Sequence, residues 1–287
     1  MLAHIDRGLV TVTGDDAGSF LQSLLSQDLD PLRDGDGAHA LLLAPQGKLI
    51  ADLRVLRVDE NTWWLDCERS VAPALADGVN RFRIRVKAEV TDASEGYAAA
   101  AVRGATHAPL DVNVPREPFS HTAWRDARVV RADWPGQPGF DVIGPASTVA
   151  AALDALGDVV VSADEYERAR IEAGVVRQGH DVDEKTIPQE AFLEQTAVSF
   201  TKGCFVGQEL VCRIDTRGHV NRYLRRARLD TAAPRGAQLE LDGKTVGEVT
   251  STAGTVALAM VRREIEPPAE VDVVWDGGRA HARLEVL

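Results

Sequence analysis

Residues 9–25 read LVTVTGDDAGSFLQSLL and set the order of the first elements in this chain. The β-branched residues of 9–13 predict a strand, and Gly14 permits a tight turn after it. Apolar residues then recur at 17, 20, 21, 24 and 25, which is the spacing of one buried helix face. Asp15 and Asp16 offer an N-cap and favourable first-turn charge. The chain therefore opens with a strand followed by a helix.

The rest of the first hundred residues mixes strands and helices without regular βαβ alternation. Residues 38–43 and 50–58 predict a β-hairpin, and residues 71–79 carry the apolar spacing of a short helix. Residues 84–91 alternate apolar and charged side chains, which predicts a strand with one buried face. This mixture indicates an α+β fold rather than a doubly wound one.

A second stretch repeats this layout loosely. Its predicted strands are 127–132 and 140–143, and its predicted helices are 149–156 and 163–173. The residue identities do not demonstrate an internal repeat, so a duplicated unit is a hypothesis.

After Asn221 the sequence predicts strands only, with short turns at Asp242-Gly243 and Asp276-Gly277. The six predicted strands are 224–229, 238–241, 244–250, 255–261, 271–275 and 280–286. They favour a small antiparallel β-barrel. We therefore predict one domain over 1–222, with sub-parts at about 1–103 and 119–222, and a second domain over 223–287.

Composition restricts the class of protein. The 287 residues are 45% hydrophobic and carry a net charge of −12, which is typical of a globular protein and argues against a surface that coats nucleic acid. The sequence starts without a signal-peptide hydrophobic region, and no stretch has the roughly 18 uncharged apolar residues of a membrane span. The three cysteines form neither a disulfide framework nor a paired zinc motif, so we expect a cytoplasmic protein that does not bind membranes.

The most unusual motif is KGCFVGQE at residues 202–209. Gly203 and Gly207 bracket Cys204, and residues 207–209 are expected to open a short helix. A thiol before a helix N-terminus and near the Lys202 ammonium would be stabilised as the thiolate, which predicts a reactive Cys204. The alternative is a small buried hydrophobic residue.

The other two cysteines, Cys67 and Cys212, lie in apolar runs and are assigned to the core. Three thiols do not supply the four ligands that an iron–sulfur cluster usually needs, so we expect no metal site held by one chain.

An arginine-rich segment contrasts with the acidic whole. Residues 213–228 have a local charge of +5, from six arginines against Asp215. Such a patch could receive a polyglutamate tail, a phosphate or an RNA backbone such as that of tRNA. The same local charge is explained equally well by surface arginines that pair with carboxylates elsewhere in the protein. The arginines are Arg213, Arg217, Arg222, Arg225, Arg226 and Arg228.

Two further side chains are candidates for ligand binding. Asp141 follows a glycine turn on a strand, and a carboxylate that accepts two parallel hydrogen bonds suits the amino-pyrimidine edge of a pterin. Arg170 precedes the helix-ending Gly174 and could bind ligand carboxylates. Helix caps and surface charges are the plainer interpretation of both.

Taken in order, these segments resemble the YgfZ-type folate-binding proteins, relatives of the glycine-cleavage aminomethyltransferase. The octapeptide K-G-C-[FY]-x-G-Q-E is specific to the YgfZ branch, and the similarity spans nearly the whole chain. The segments that carry it are 14–22, 45–52, 170–174, 188–190, 202–209 and 246–251.

The resemblance implies a ring-like folate-binding body of mixed antiparallel sheets and helices with a C-terminal barrel. It also implies a role in assembling or repairing iron–sulfur clusters, with iron–sulfur enzymes or assembly factors as partners and an indirect effect on tRNA modification. Cys204 and Lys202 would carry the chemistry. The implied contacts to tetrahydrofolate are Asp141, Arg170, Gly203, Gly207, Gln208, Glu209 and Arg222.

Two departures from the relatives weigh against transferase chemistry. Asp141 stands where the methyltransferase relatives have Glu, and residues 65–70 show no counterpart of their catalytic Asp. Aminomethyl transfer needs that carboxylate to stabilise developing positive charge. We therefore expect no conventional enzyme. The alternatives are a folate-dependent one-carbon transferase, a folate- or RNA-binding module without chemistry, and a cysteine hydrolase with His180 or His219 as base.

Overall fold

The computed structural model describes residues 1–107, 109–157 and 159–287. Two compact units are present: the first unit comprises residues 1–161 and 194–212, and the second comprises residues 162–193 and 213–287. The predicted domain boundary at residues 222 and 223 stays a prediction. Over the described ranges, no helix is both long and apolar enough to cross a membrane.

Sixteen strands and six α-helices are assigned within the described ranges, numbered in chain order. The strands are β1 (Leu2–Ile5), β2 (Arg7–Thr13), β3 (Gly37–Leu43), β4 (Leu49–Asp59), β5 (Thr62–Glu68), β6 (Glu89–Asp92), β7 (Tyr97–Arg103), β8 (His121–Trp124), β9 (Ala127–Arg131), β10 (Gly139–Pro145), β11 (Arg222–Leu229), β12 (Gln238–Leu241), β13 (Lys244–Ala253), β14 (Val256–Arg262), β15 (Ala269–Trp275) and β16 (Gly278–Glu285). The helices are α1 (Ala17–Leu24), α2 (Ala72–Arg81), α3 (Ala146–Leu156), α4 (Ala163–Ala173), α5 (Glu194–Ala197) and α6 (Gln208–Arg217).

The first unit contains two antiparallel sheets with the same connectivity. Their strand orders are β3-β4-β5-β2-β6 and β8-β9-β10-β7-β1. In each, one strand (β2 or β7) precedes a three-stranded meander whose last strand returns to pair with it. A helix, α2 or α3, follows the meander. The duplicated layout suggested by the sequence is therefore present in the topology.

Side-chain alternation gives the first sheet two buried faces. One face packs with α1 and α2, and Leu53 and Val55 of β4 belong to that core. The other face meets the second sheet in a smaller cluster that includes Leu56, Val130 and Ile143. Since successive residues of a strand point to opposite faces, Arg54 also lies on the face toward the second sheet.

The second unit contains a closed barrel with the order β11-β14-β13-β12-β15-β16. Its turns use Asp242 and Gly243, both at positive φ, and Gly277 at φ +83°. These residues satisfy the backbone that short hairpins require, as the sequence predicts. Helix α4 packs against β13 and β14, begins with a capping box between Ser162 and Glu165, and ends at the left-handed Gly174.

The strand predicted over residues 84–91 is wrong before Glu89, where β6 begins, although Val86, Ala88 and Val90 lie on a core-facing side as the alternation predicts. Pairing is confined to β6, and Arg85 adopts φ +60°, which interrupts an extended chain. Ile84, expected on a buried face, is 76% exposed. The side chain of Asp16 does not cap α1, which corrects that prediction. Its carboxylate accepts the backbone N–H of Lys87 at 2.8 Å instead.

Candidate functional site

Cys204 lies on the loop between α5 and α6 and is exposed. The loop is fastened to the end of α1 by Lys202, whose Nζ donates to the carbonyl oxygens of Gln22 at 2.7 Å, Leu25 at 2.8 Å and Gln27 at 2.9 Å. The predicted alternative, a buried apolar cysteine, is therefore wrong for Cys204. The thiol is accessible on a loop whose backbone is anchored.

The role of Lys202 differs from the one that the sequence suggests. An ammonium has three hydrogens, and the three carbonyls at the end of α1 accept them. Burial lowers the pKa of Lys202, while Asp28 and Asp30 act in the opposite direction. In this geometry Lys202 anchors the loop, and its direct stabilisation of a Cys204 thiolate stays a prediction.

Residues on the C-terminal side of Cys204 complete the anchor. Phe205 is buried, and its backbone N–H donates to Oε1 of Gln208 at 3.0 Å. Gly207 has φ +81°, and a Cβ there would lie 2.5 Å from the carbonyl oxygen of Ala44, so a larger residue is excluded. Helix α6 begins at Gln208, as the sequence predicts.

Two further residues of the KGCFVGQE motif, Gly203 and Glu209, are exposed. A Cβ on Gly203 would meet no described atom within 4 Å, and Glu209 is an exposed residue of the first turn of α6. Neither position shows a geometry that requires a ligand. Their assignment as folate contacts stays a prediction.

The three thiols have different environments. Cys67 is fully buried in the first sheet, as predicted, and burial raises its pKa to about 12. Cys212 is only half-buried on α6, which corrects its assignment to the core. Over the described ranges, no group of three or more His, Cys, Asp or Glu side chains is arranged to hold a metal ion.

Asp141 is enclosed between the two sheets of the first unit. Its Oδ2 accepts from Nη1 of Arg54 at 2.5 Å and its Oδ1 accepts from Nη1 of Arg103 at 2.7 Å. Burial alone would raise the pKa of Asp141, but the two guanidinium groups lower it. With 1% exposure, Asp141 presents no open carboxylate edge to a pterin.

Asp66 extends this network into the first sheet. It accepts from Nε of Arg54 at 2.7 Å, from Nη2 of Arg7 at 2.5 Å and from the hydroxyl of Tyr97 at 2.9 Å. Burial would raise its pKa, yet Arg54 and Arg7 lower it to about 2. The carboxylate of Asp66, in segment 65–70, is therefore structural.

The predicted folate arginines of the second unit are paired within that unit. Arg170 bonds Asp181 at 2.8 Å and Ser251 at 2.8 Å, and it forms a 2.6 Å ion pair with Glu167. Burial would lower the pKa of Arg170, but these carboxylates raise it. The closed pairing of Arg170 leaves no free edge for ligand carboxylates.

The arginine-rich segment of the second unit is largely engaged within the protein. Arg222 pairs with Glu190 at 2.9 Å, and Arg226 donates to two backbone carbonyls. Arg225 stacks over the ring of Tyr223 at 4.9 Å. These contacts favour the structural interpretation of the patch, and RNA binding there stays a prediction.

A polar chain that the sequence analysis missed lies at the edge of the first sheet. His39 Nε2 is 2.5 Å from Oδ1 of Asp52, and His39 Nδ1 is 2.8 Å from Oγ1 of Thr196. His39 and Asp52 are half-buried. Both project from the same face of the β3–β4 hairpin, so alternation in the predicted hairpin could have revealed the pair.

Comparisons with known proteins define the class. Residues 6–202 match the GCVT N-terminal domain, and residues 222–283 match the CAF17 C-terminal beta-barrel domain. The fold is also similar to the crystal structure of the glycine cleavage system aminomethyltransferase T from Bartonella henselae, with a TM-score of 0.84 and 21% identity over 100% of this chain and 85% of that one. The predicted α+β body of antiparallel sheets with a C-terminal barrel is confirmed. The protein is a member of the GcvT-like class.

Its relatives refine this placement. The iron-sulfur cluster assembly factor IBA57 of Mus musculus is 28% identical over 90% of this chain and 76% of that protein, and the IBA57 homolog of Mycosarcoma maydis is 30% identical over 76% and 54%. An aminomethyltransferase of Staphylococcus carnosus is 25% identical over 90% and 77%. The chain belongs to the YgfZ/IBA57 family, in which a GCVT domain precedes a CAF17-type barrel.

Proposed function

We propose that this protein is an accessory factor for iron–sulfur cluster assembly or repair that acts through Cys204. The observation that carries the proposal is an exposed thiol on a loop anchored by Lys202 and Phe205. Similarity to proteins named iron-sulfur cluster assembly factors supports the same role.

The chemistry of a single anchored thiol is limited. A thiolate can ligate iron or exchange with another sulfur, but one cysteine does not hold a cluster alone. The chain has two other thiols, one buried and one half-buried. We infer that Cys204 contributes one bond to a cluster or sulfur that a partner protein also holds, so the bond is transient.

Genetic rescue tests this role. In cells that lack the protein, Cys204→Ser should fail to restore the activity of a cluster-dependent dehydratase, because the serine hydroxyl is a poor soft-metal ligand. Cys212→Ser is the matched control, since it removes a half-exposed thiol from the same region. Comparable protein levels must be shown by immunoblot. Full rescue by Cys204→Ser would refute the proposed function.

Tetrahydrofolate is the ligand that the resemblance implies, but two of the contacts assigned to it do not fit. Asp141 and Arg170 are both enclosed and paired within the protein. The proposed chemistry of Cys204 therefore includes no step through folate. Calorimetric titration of tetrahydrofolate into wild-type protein and the Asp141→Asn variant tests whether folate binds. If wild type binds and the folded variant does not, the Asp141 carboxylate becomes accessible to the ligand.

A second candidate function is one-carbon transfer, and the observation that favours it is the His39–Asp52 pair. This half-buried carboxylate is held by an imidazole 2.5 Å away, unlike Asp66 and Asp141, which arginines enclose. Several relatives are named aminomethyltransferase. Incubation with tetrahydrofolate and an aminomethyl donor should give product that Asp52→Asn abolishes. Absence of turnover by wild-type protein would remove this candidate.

A further inference from the structure

Residues 81–87, which we call the basic segment, read RFRIRVK and carry four positive charges on a protein of net charge −12. All four cations are exposed. Arg83 donates to Asn80 and to the carbonyl of Ala88, and no cation of the segment forms an ion pair within the described part of the chain. The segment is therefore a concentrated positive surface, with one carboxylate, that of Asp16, bound to its backbone at Lys87.

The backbone of the basic segment is fixed at both ends. Phe82 and Val86 pack against the core of the first sheet. Asp16 binds Lys87 twice, since its carboxylate accepts the Lys87 N–H at 2.8 Å and its own N–H donates to the Lys87 carbonyl at 3.2 Å. The cations therefore project from a held scaffold rather than from a loose chain.

Ile84 at the centre of the segment points away from the core. It is 76% exposed, and the turn at Arg85 with φ +60° separates it from the inward-facing Val86. A positive φ is a strained backbone conformation for a residue other than glycine. An isoleucine displayed between arginines by a strained turn contributes nothing to the core that would offset this strain.

An open groove of about 450 Å³ adjoins the segment. Apolar side chains dominate its walls, and one of them, Val206, is two residues from Cys204. This volume is near the lower end of the range of about 300–1,000 Å³ for ligand pockets, and it suits one or two side chains of a partner. Its lining comprises the apolar Phe20, Leu24, Phe82, Val86 and Val206 together with Asp16, Ser19 and Ser23, and the Asp16 carboxylate is already occupied by the Lys87 N–H.

We propose that the basic segment and this groove form a docking surface for an acidic polypeptide segment that carries large apolar side chains. Charge complementarity selects the carboxylates, while Ile84 and the groove bury the apolar groups. A partner held here would lie against the chain segment that includes Val206. Because this inference assigns a partner to the Cys204 loop, it rests on the function proposed for Cys204.

A polypeptide fits this surface better than RNA does. Single-stranded RNA is held by exposed aromatic faces on which bases stack, together with a basic groove. Here the most exposed apolar group is the branched aliphatic Ile84, and Phe82 packs against the core with only part of its side chain open to the groove. The groove walls offer aliphatic and enclosed aromatic surface to side chains rather than a stacking platform.

Selection from a random 12-residue peptide library on the full-length protein tests the proposal. We expect enriched peptides that combine Asp or Glu with Leu, Ile or Phe. Fluorescence anisotropy at about 150 mM salt should show roughly tenfold weaker binding to Ile84→Asp and to the Arg81→Glu/Arg85→Glu double variant. Val286→Asp, which alters an apolar residue 60% exposed in the second unit, is the matched control and should bind normally.

Each outcome decides the proposal. Failure to enrich such peptides, or binding that the Ile84 and arginine variants leave intact, would overturn it. If a 20-nucleotide RNA or phosphatidylserine vesicles bind in an Ile84-dependent way and displace the peptide, the assigned occupant is wrong. Cys204→Ser should retain peptide binding. If Cys204→Ser restored the activity of the dehydratase while peptide binding stayed intact, the proposed function would be refuted and the docking surface would stand.

Discussion

The interior of the first unit and the Cys204 loop place ionisable side chains in opposite environments. Asp66 and Asp141 are at most 1% exposed and are enclosed by arginines, whereas the Cys204 thiol is exposed. The buried charges are paired within and between the two sheets and are unavailable to a ligand. The exposed thiol is available and contributes little to the fold. A charged residue on a strand is therefore not by itself evidence of an accessible site.

Arg54 explains why the interior tolerates so much charge. It donates to Asp66 in its own sheet and to Asp141 in the other sheet. A complete buried ion network contributes little net stability, but removal of one partner leaves an uncompensated charge and is costly. Substitutions in the network should therefore act on the fold, and substitutions in the loop should act on function.

The largest expected effect is that of Asp66→Asn. It leaves Arg7 and Arg54 without their shared charge in a buried site, so the free energy of unfolding should fall by about 3–5 kcal/mol. Urea unfolding followed by tryptophan fluorescence measures this. Asp15→Asn, which removes an exposed carboxylate, is the control. A loss below about 1 kcal/mol for Asp66→Asn would contradict the structural role of the network.

Acid should remove part of the same contribution. The pKa of Asp66 is lowered from 3.8 to about 2, so the carboxylate stabilises the folded state fully above pH 4. This contribution, about 2 kcal/mol, is lost as the pH falls from about 4 through 2. The difference in unfolding free energy between wild type and Asp66→Asn should shrink over that range. A constant difference from pH 5 to pH 2 would contradict the lowered pKa.

Lys202→Met tests whether the loop is anchored as described. It removes three hydrogen bonds to carbonyls at the end of α1 that water can partly replace, so we expect a loss of about 1–2 kcal/mol. Thermal unfolding by circular dichroism measures it. Lys185→Met, at an exposed position, should change stability by less than about 0.5 kcal/mol. Equal effects of the two substitutions would show that Lys202 is not an anchor.

The smallest effect on stability is expected for Cys204→Ser, below about 0.5 kcal/mol, because the side chain is exposed. Cys67→Ser places a hydroxyl in the core and should cost about 1–3 kcal/mol. Iodoacetamide labelling of native protein, followed by peptide mass spectrometry, should modify Cys204 first and Cys67 last. Labelling of Cys67 before Cys204 would contradict the exposure of the Cys204 thiol and the burial of the Cys67 thiol.

Local signals explain which parts of the fold were predictable. The barrel was predicted well because each hairpin carries its own alternation and its own turn residues, such as Asp242 and Gly243. The strand predicted at 84–91 was correct only from Glu89 onward, although its alternation is regular. Phe82 and Val86 do face the core, but the turn at Arg85 decides the backbone there, and tertiary packing against α1 is not visible in the pattern.

The candidate site was predictable to a similar degree. The accessible Cys204 and the helix start at Gln208 follow from residues within one short motif. The state of Asp141 depends on Arg54, 87 residues away and on another sheet, so no local rule could show that its carboxylate is occupied. The His39–Asp52 pair spans only 13 residues and was within reach of strand register.

The placement of β1 limits how this protein can be dissected. Residues 2–5 complete the second sheet beside β7, and after the single residue Asp6 the chain enters the first sheet. A fragment that starts at residue 94 would therefore leave β7 with a bare row of amide and carbonyl groups, which invites aggregation. Separate expression of the two sheets should therefore fail unless residues 1–6 accompany the second sheet.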